Sequence, residues 1–404
     1  MVKRVAWIAA IGALTLGLSA CSSGGAAAGS SSTPAGSSTA QQGTSASSGA
    51  GSSSPAAGAS SQAAGGGGSS SAAAPPSGPL PTVRLMVGGI DKQIYLPYQL
   101  AQNLGFYKKY GVNVELSTEQ QGGVGAEDAM ASGQVDMAGA WYIHAIDFQS
   151  KGKDVIDVVQ LSGAPGEREM CGNDSGVHST ADFKGKTLGV TDLGSGTDEL
   201  TQFMASQHNI TRKEYTPLAV GAGATAIAAI QRKTAACVMT TQPTVLELEA
   251  QKLAYPAIDL ATAAGATAAL GGDWPSACVL AQASWVKAHP TETQAVVNAL
   301  VATMHWIATH TAADIANALP PQFVSNKTIT KDQYIAALTT DKGQFLPDGI
   351  MPAGGAKTVY DMEKVIGVDV SKVAVGNTFT NDYALKANQT EGFTVTTKPA
   401  GADG

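Results

Sequence analysis

Residues 187–208 read TLGVTDLGSGTDELTQFMASQH. Thr187 to Val190 is a short apolar strand. Leu193 to Thr197 is a glycine-rich turn, and the residues after it carry a helical apolar spacing to about His208. The pattern then continues with a strand at Thr216–Val220, an alanine helix at Ala224–Arg232 and a strand at Ala236–Thr240. The order is β-α-β-α-β. An earlier stretch repeats it. Thr82–Gly89 (TVRLMVGG) is a strand, and Leu96–Tyr110 is a helix with Leu96, Leu100, Leu104 and Tyr107 on one face and Gly111 past its end. Val112–Leu116 is a strand, Gly125–Ser132 a small-residue helix closed by Gly133, and Val135–Ala138 a strand. The two units align at a shift of 100 positions, with Gly123, Ala126 and Ala129 falling on Gly223, Ala226 and Ala229. Two such units predict an α/β protein of two open, mostly parallel sheets flanked by helices. Helices are further expected at Trp285–His310, after Pro290-Thr291, and at about Thr330–Thr339 and Ala356–Ile366.

Upstream of these units the chain changes character. Lys3 and Arg4 precede an apolar run from Val5 to Gly17, which reads as a signal peptide over 1–20 and is too short for a span of about 20 residues. Leu18-Ser19-Ala20-Cys21 resembles the bacterial lipobox, which implies lipidation of Cys21 and a membrane anchor outside the cytoplasm. Residues 21–81 are almost wholly Ser, Gly, Ala, Thr, Pro and Gln, the composition of a disordered linker. About 320 residues then remain for the globular part. The formal charge of −7 becomes −9 without Lys3 and Arg4, and no basic cluster is present, which argues against nucleic acid. Besides Cys21 there are Cys171, Cys237 and Cys278. They allow one disulfide and a leftover thiol, or three buried thiols, and no C-x-x-C spacing suggests a metal or redox site.

Catalytic signals are weak. There is no G-x-S-x-G and no H-E-x-x-H, and none of the six histidines is paired at i, i+4. Gly221 to Ala226 fits G-x-G-x-x-A, but the following strand ends Val238-Met239-Thr240 without the acidic residue a dinucleotide site needs. Asp136 and Glu127-Asp128 fit a solvated turn and helix better than a carboxylate site. Binding signals are stronger. Glycines and hydroxyl residues sit where strands end: Gly88-Gly89, Gln121-Gly122-Gly123, Gly194-Ser195-Gly196-Thr197 and Thr240-Thr241-Gln242-Pro243. Open α/β sheets take ligands at those edges, and Ser195–Thr197 open a helix whose N–H groups suit an anion. Tyr95, Trp141, Tyr142 and Trp274 are the aromatic residues placed to wall a pocket.

The ordered motifs are similar to those of the extracytoplasmic substrate-binding proteins of ABC importers, in the branch with nitrate-, sulfonate-, taurine- and thiamine-pyrimidine-binding members. The similar stretches are TVRLMVGGI, LPYQLAQNLGFYKKYGVNVEL, AMASGQVDMAGA, ADFKGKTLGVTDLGSGTDELTQFM and WVKAHPTETQAVVNALVATMHWI, covering about Thr82 to Leu319. The second lobe departs from the family's G-x-V-D-A, with Lys233-Thr234-Ala235-Ala236-Cys237 in its place.

The resemblance implies a type II periplasmic-binding-protein fold, with lobe 1 formed by 82–165 and 280–404 and lobe 2 by 170–277. Two crossing strands would hinge the lobes, near Gly163–Cys171 and Pro275–Leu280. It implies a monomer that takes a small organic or oxyanionic solute and delivers it to an ABC permease and its ATPase, with no catalytic residue, cofactor or metal. Ile90, Gln93, Tyr95, Gln121, Trp141, Ser195, Gly196, Thr197, Thr241, Gln242 and Trp274 are the expected ligand-binding residues. With the crossings side by side, Cys171 and Cys278 become the expected disulfide. The alternatives are a pyrimidine-synthase-like enzyme of the same fold, which would need a pyridoxal phosphate lysine, and a sensory lipoprotein without transport.

Overall fold

The computed structural model describes residues 78–119, 123–401 and 404. The signal segment, Cys21, the linker up to residue 77 and Gln121 lie outside the described residues. The first unit runs β1 (Thr82–Val87), α1 (Leu96–Asn103), α2 (Phe106–Lys109), β2 (Asn113–Thr118), α3 (Val124–Ala131), β3 (Met137–Trp141), α4 (Ile143–Ser150) and β4 (Val155–Gln160). The second runs β5 (Arg168–Gly172), β6 (Thr187–Val190), α5 (Gly196–Ser206), β7 (Thr216–Ala219), α6 (Ala224–Gln231), β8 (Cys237–Thr240), α7 (Thr244–Ala250), β9 (Ala254–Asp259) and α8 (Ala263–Leu270). The chain then returns through β10 (Ala277–Gln282) to α9 (Ala283–Ala288), α10 (Pro290–Thr309), α11 (Ala312–Ala318), α12 (Pro321–Val324), α13 (Lys331–Asp341), α14 (Gly355–Ile366) and α15 (Asp382–Glu391). Among the described residues no helix is long and apolar enough to cross a membrane.

The strands form two five-stranded sheets, ordered β2-β1-β3-β10-β4 and β7-β6-β8-β5-β9. In each, the three strands of one β-α-β-α-β unit are parallel, as expected. The fourth strand is antiparallel to both neighbours. That strand, β10 in one sheet and β5 in the other, is where the chain arrives from the opposite sheet. Each sheet is therefore mixed. β3 and β10 are wholly or almost wholly buried, with helices on both faces, so they read as apolar runs rather than alternating ones.

The crossings run side by side. Ser162 N donates to Ala277 O and Ser276 N to Ser162 O, at 3.1 Å each. The Ser162 and Ser276 hydroxyls meet at 2.6 Å and both donate to Ala164 O at 2.7 Å. Further along, Leu260 N donates to Glu167 O at 2.9 Å. Side-chain and backbone bonds thus tie the strands into one narrow hinge.

Two expectations change. The helix expected over Leu96–Tyr110 is two helices, because Gly105 takes φ 73°, a left-handed turn that ends α1 before α2 begins. The disulfide is Cys171–Cys237, not Cys171–Cys278. Cys171 on β5 lies opposite Cys237 on the adjacent antiparallel β8. Cys278 lies on β10 in the other sheet, as a buried free thiol whose pKa burial pushes well up.

The C-terminal helices cover both sheets. α10 packs on α1, α2 and β4 and carries α15, whereas α13 reaches α7 and α14 lies along α5. Arg168 at the start of β5 fixes α13. Its guanidinium donates to both oxygens of the buried Asp341, at 2.9 and 2.7 Å, and to Asp259 at 3.1 Å.

Several buried acids set a pH dependence. Burial raises Asp157 and Glu169 to about 8 and Glu167 to about 7. The folded chain keeps these protons where the unfolded chain loses them, near pH 4. Their contribution is full below pH 4 and is lost as pH rises towards 8. We expect the melting temperature to fall by roughly 5 °C or more between pH 5.5 and 8.5. Thermal unfolding monitored at both pH values checks this; a flat or rising profile contradicts it.

Candidate functional site

The carboxyl ends of the parallel strands of the two sheets meet at a seam. On the first rim, Ile90, Lys92, Gln93 and Tyr95 follow the end of β1. Ile90 N donates to Thr118 Oγ1 at 3.0 Å, and the buried Lys92 ammonium donates to Gly88 O at 2.8 Å. The Gln93 N–H crosses the seam to Gln242 O at 2.9 Å. Its side-chain amide is buried beside Tyr334 without a hydrogen bond of ordinary geometry. Trp141 ends β3, and its indole stands edge-on to that of Trp274, with ring centres 5.3 Å apart.

The second rim is the start of α5 and the end of β8. Ser195 and Thr197 are buried, and their hydroxyls bond to each other and to Thr191 at 2.8–3.0 Å. Thr197 Oγ1 also accepts from Thr191 N at 2.9 Å. This knot rigidifies the turn into α5. Gly196 presents bare backbone to Trp141: a Cβ there would lie 2.2 Å from the indole Cε3. Thr241 donates to Gly166 O at 2.7 Å, in the hinge, and Gln242 Oε1 accepts from Leu246 N in the first turn of α7.

Of the expected ligand residues described, all but Ile90 are buried, and Ile90 is half-buried. Gln93, Trp141, Gly196, Gln242 and Trp274 come together across or beside the seam. Ser195 and Thr197 support it from behind, and Thr241 holds the hinge. This is the arrangement of two lobes shut against each other.

The sequence reading missed the charged part of the seam. Glu127, expected on a solvated face, is buried, and Asp136 is half-buried, paired with the exposed Arg84 at 2.6 Å. Glu127 Oε1 is 3.5 Å from His144 Nε2, and His144 Nδ1 is 3.4 Å from Asp147 Oδ2. Donor atoms of His144, Asp147 and Glu199 lie within 4.8 Å of one another. Burial raises Glu127 to about 7 and pushes Glu199 well above its ordinary range. Burial opposes the charge of His144 too, but Glu127 and Asp147 hold its pKa up. The signal was legible in principle. His144 and Asp147 share one helix face at i, i+3, immediately after the end of β3.

Comparison with known proteins places this geometry. No curated protein sequence matches the chain. A solved protein of Bordetella bronchiseptica RB50 superposes with a TM-score of 0.72 at 29% identity, over 77% of this chain and 98% of that one. The periplasmic nitrate-binding protein NrtA of Synechocystis PCC 6803 gives 0.60 at 15% identity, over 77% and 89%. The alkanesulfonate-binding protein SsuA of Xanthomonas axonopodis pv. citri, bound to MOPS, gives 0.55 at 17%, over 78% and 99%. The fold is that of the periplasmic binding proteins. The family model described as NMT1/THI5 like matches residues 94–313, more than half of the chain, from the first rim through the whole of the second lobe and into the helices that follow. The chain therefore belongs to the NMT1/THI5-like family.

Proposed function

We propose that the protein is the extracytoplasmic solute-binding component of an ABC importer, anchored by lipid on Cys21 and acting as a monomer. It captures a small organic or oxyanionic nutrient between its lobes and passes it to a permease. The observation that carries this reading is the shut seam. Two sheets direct the carboxyl ends of their parallel strands at each other, across a hinge of two adjacent crossings, and Trp141 and Gln93 of one lobe touch Gly196 and Gln242 of the other. A hinged clamp of this kind closes when a ligand favours the closed state. Nitrate and alkanesulfonate binding in the superposed proteins supports the solute class as small nitrogen or sulfur compounds. The buried Gln93 amide and the Trp274 indole N–H, which has no partner among the described residues, are the polar groups placed to orient the solute.

A thermal-shift and calorimetric screen of nitrogen, sulfur and pyrimidine compounds tests the proposal. One chemical class is expected to bind saturably, with affinity reduced at least tenfold or so by Gln93→Ala. No binding by any class, or binding indifferent to residue 93, overturns it.

A further inference from the structure

We propose that His144, Asp147 and Glu199, with Glu363 beside them, form a binding site for a divalent metal ion that joins the two lobes behind the seam. The site lies where three helices from separate parts of the chain meet. α4 follows β3 of the first lobe and supplies His144 and Asp147. α5 opens the second lobe's rim and supplies Glu199. α14, from the C-terminal segment, packs on both helices and supplies Glu363.

The donor set is compact, with His144 and Asp147 buried and Glu199 half-buried. The imidazole and the Asp147 and Glu199 carboxylates place one donor atom each within 4.8 Å of the others. A cation coordinated at about 2.0–2.2 Å needs donors no farther apart than about twice that distance, close to the spacing found here. Glu363 is the independent pointer to a ligand. It is 0% exposed, both its carboxylate oxygens lack a hydrogen-bond partner, and its charge acts on Asp147, His144 and Glu199. Glu199 Oε2 is also buried without a hydrogen bond, whereas Glu127 Oε1 has the His144 imidazole 3.5 Å away. Each such orphan acceptor costs about 1–3 kcal/mol if nothing satisfies it.

Charge makes the same case. Glu127, Asp147, Glu199 and Glu363 surround a single imidazole, with Lys151, the residue after α4, the nearby amine. Protons alone can neutralise the group, but they leave the Glu363 oxygens unpaired. A divalent ion neutralises two charges and supplies the missing partner. One nitrogen among carboxylate oxygens suits Zn²⁺ or Mn²⁺ better than Ca²⁺, which takes oxygen ligands only. Because Asp147 and Glu199 belong to different lobes, the ion would hold the clamp shut and would leave when it opens. The inference goes beyond solute capture and does not need it.

The full chain, stripped with EDTA, is titrated calorimetrically with ZnCl₂ and with MnCl₂, without solute. We expect one ion per chain, with a Kd below about 10 µM for at least one metal and CaCl₂ at least tenfold or so weaker. Glu199→Gln and Glu363→Gln keep the side-chain shapes and should each weaken binding roughly tenfold or more. The metal should also raise the melting temperature of the parent chain and not of Glu199→Gln. Absence of saturable binding below about 100 µM, or binding that survives both substitutions, overturns the proposal. Solute binding is measured separately in EDTA, so failure of the metal site and failure of the solute-binding role give different results.

Discussion

Gly196→Val is expected to abolish closure of the clamp while leaving each lobe folded. Gly196 is the first residue of α5, and the indole of Trp141 lies on its backbone. A Cβ would come within 2.2 Å of an indole carbon, well inside van der Waals contact. The ring cannot yield easily, because Trp274 stands against it at 5.3 Å and both rings are buried. The cheapest response is for the lobes to stay apart. Solute affinity should fall by roughly a hundredfold or more, since the binding-competent state becomes rare. The melting temperature should change by only a few degrees, because the lobe interiors are untouched. Trp141→Ala on the same background should restore part of the binding by removing the obstacle. Titration of the single and double variants with the solute checks this. Parent-like affinity in Gly196→Val contradicts it.

Reduction of the Cys171–Cys237 bond is the second large effect. The bond links strands 66 residues apart in sequence, at a directly paired position of β5 and β8. In the chain-entropy account, a loop of this length is worth about 4 kcal/mol of stability. Cys237→Ser or a reducing agent should therefore lower the melting temperature by about 10 °C. The other lobe's Cys278 takes no part, being buried on β10 behind Tyr98, whose hydroxyl donates to Cys278 O at 2.6 Å. Non-reducing peptide mapping should link the peptides of Cys171 and Cys237 and find Cys278 alkylated only after denaturation. A Cys171–Cys278 link, or no stability change on reduction, contradicts the pairing.

The fold was largely legible because alternation of strand and helix is a local property. Each parallel triplet follows from apolar runs at Thr82, Thr187 and Cys237 with helices between them, ended by Gly111 and Gly133 in the first unit and by left-handed Asn209 and Lys233 in the second. What the residues alone did not reveal is the partner of each antiparallel strand. β10 is an apolar run like any other and β5, REMCG, carries no clear strand signal, and nothing local says that each joins the sheet on the far side of the hinge. The change of disulfide partner follows from that gap: the resemblance puts Cys171 on the crossing, whereas it lies inside β5 of the second sheet. The rim was legible where backbone chemistry demands special residues, as at Gly196 beside Ser195 and Thr197. The acid cluster was not. Glu127 on α3, Glu199 on α5 and Glu363 on α14 sit on helices where charged residues usually face water, and only tertiary packing gathers them, with Glu127 and Glu363 buried and Glu199 half-buried. Asp198 and Glu199 in the first turn of α5 read naturally as partners of the helix dipole. Asp198 does remain near that end, accepting from Gly194 N and from Arg212.

Hydrogen–deuterium exchange of the backbone at the seam is the most direct test of the clamp. The Gln93 N–H bonds to Gln242 O only when the lobes are shut. Peptides covering Gln93 and the Gly196–Leu200 turn should gain protection when solute binds and lose it in Gly196→Val, while the β1 and β6 interiors stay unchanged. Equal protection of the seam in the solute-bound parent, the solute-free parent and the variant would show that these surfaces never part, and the clamp account would be wrong.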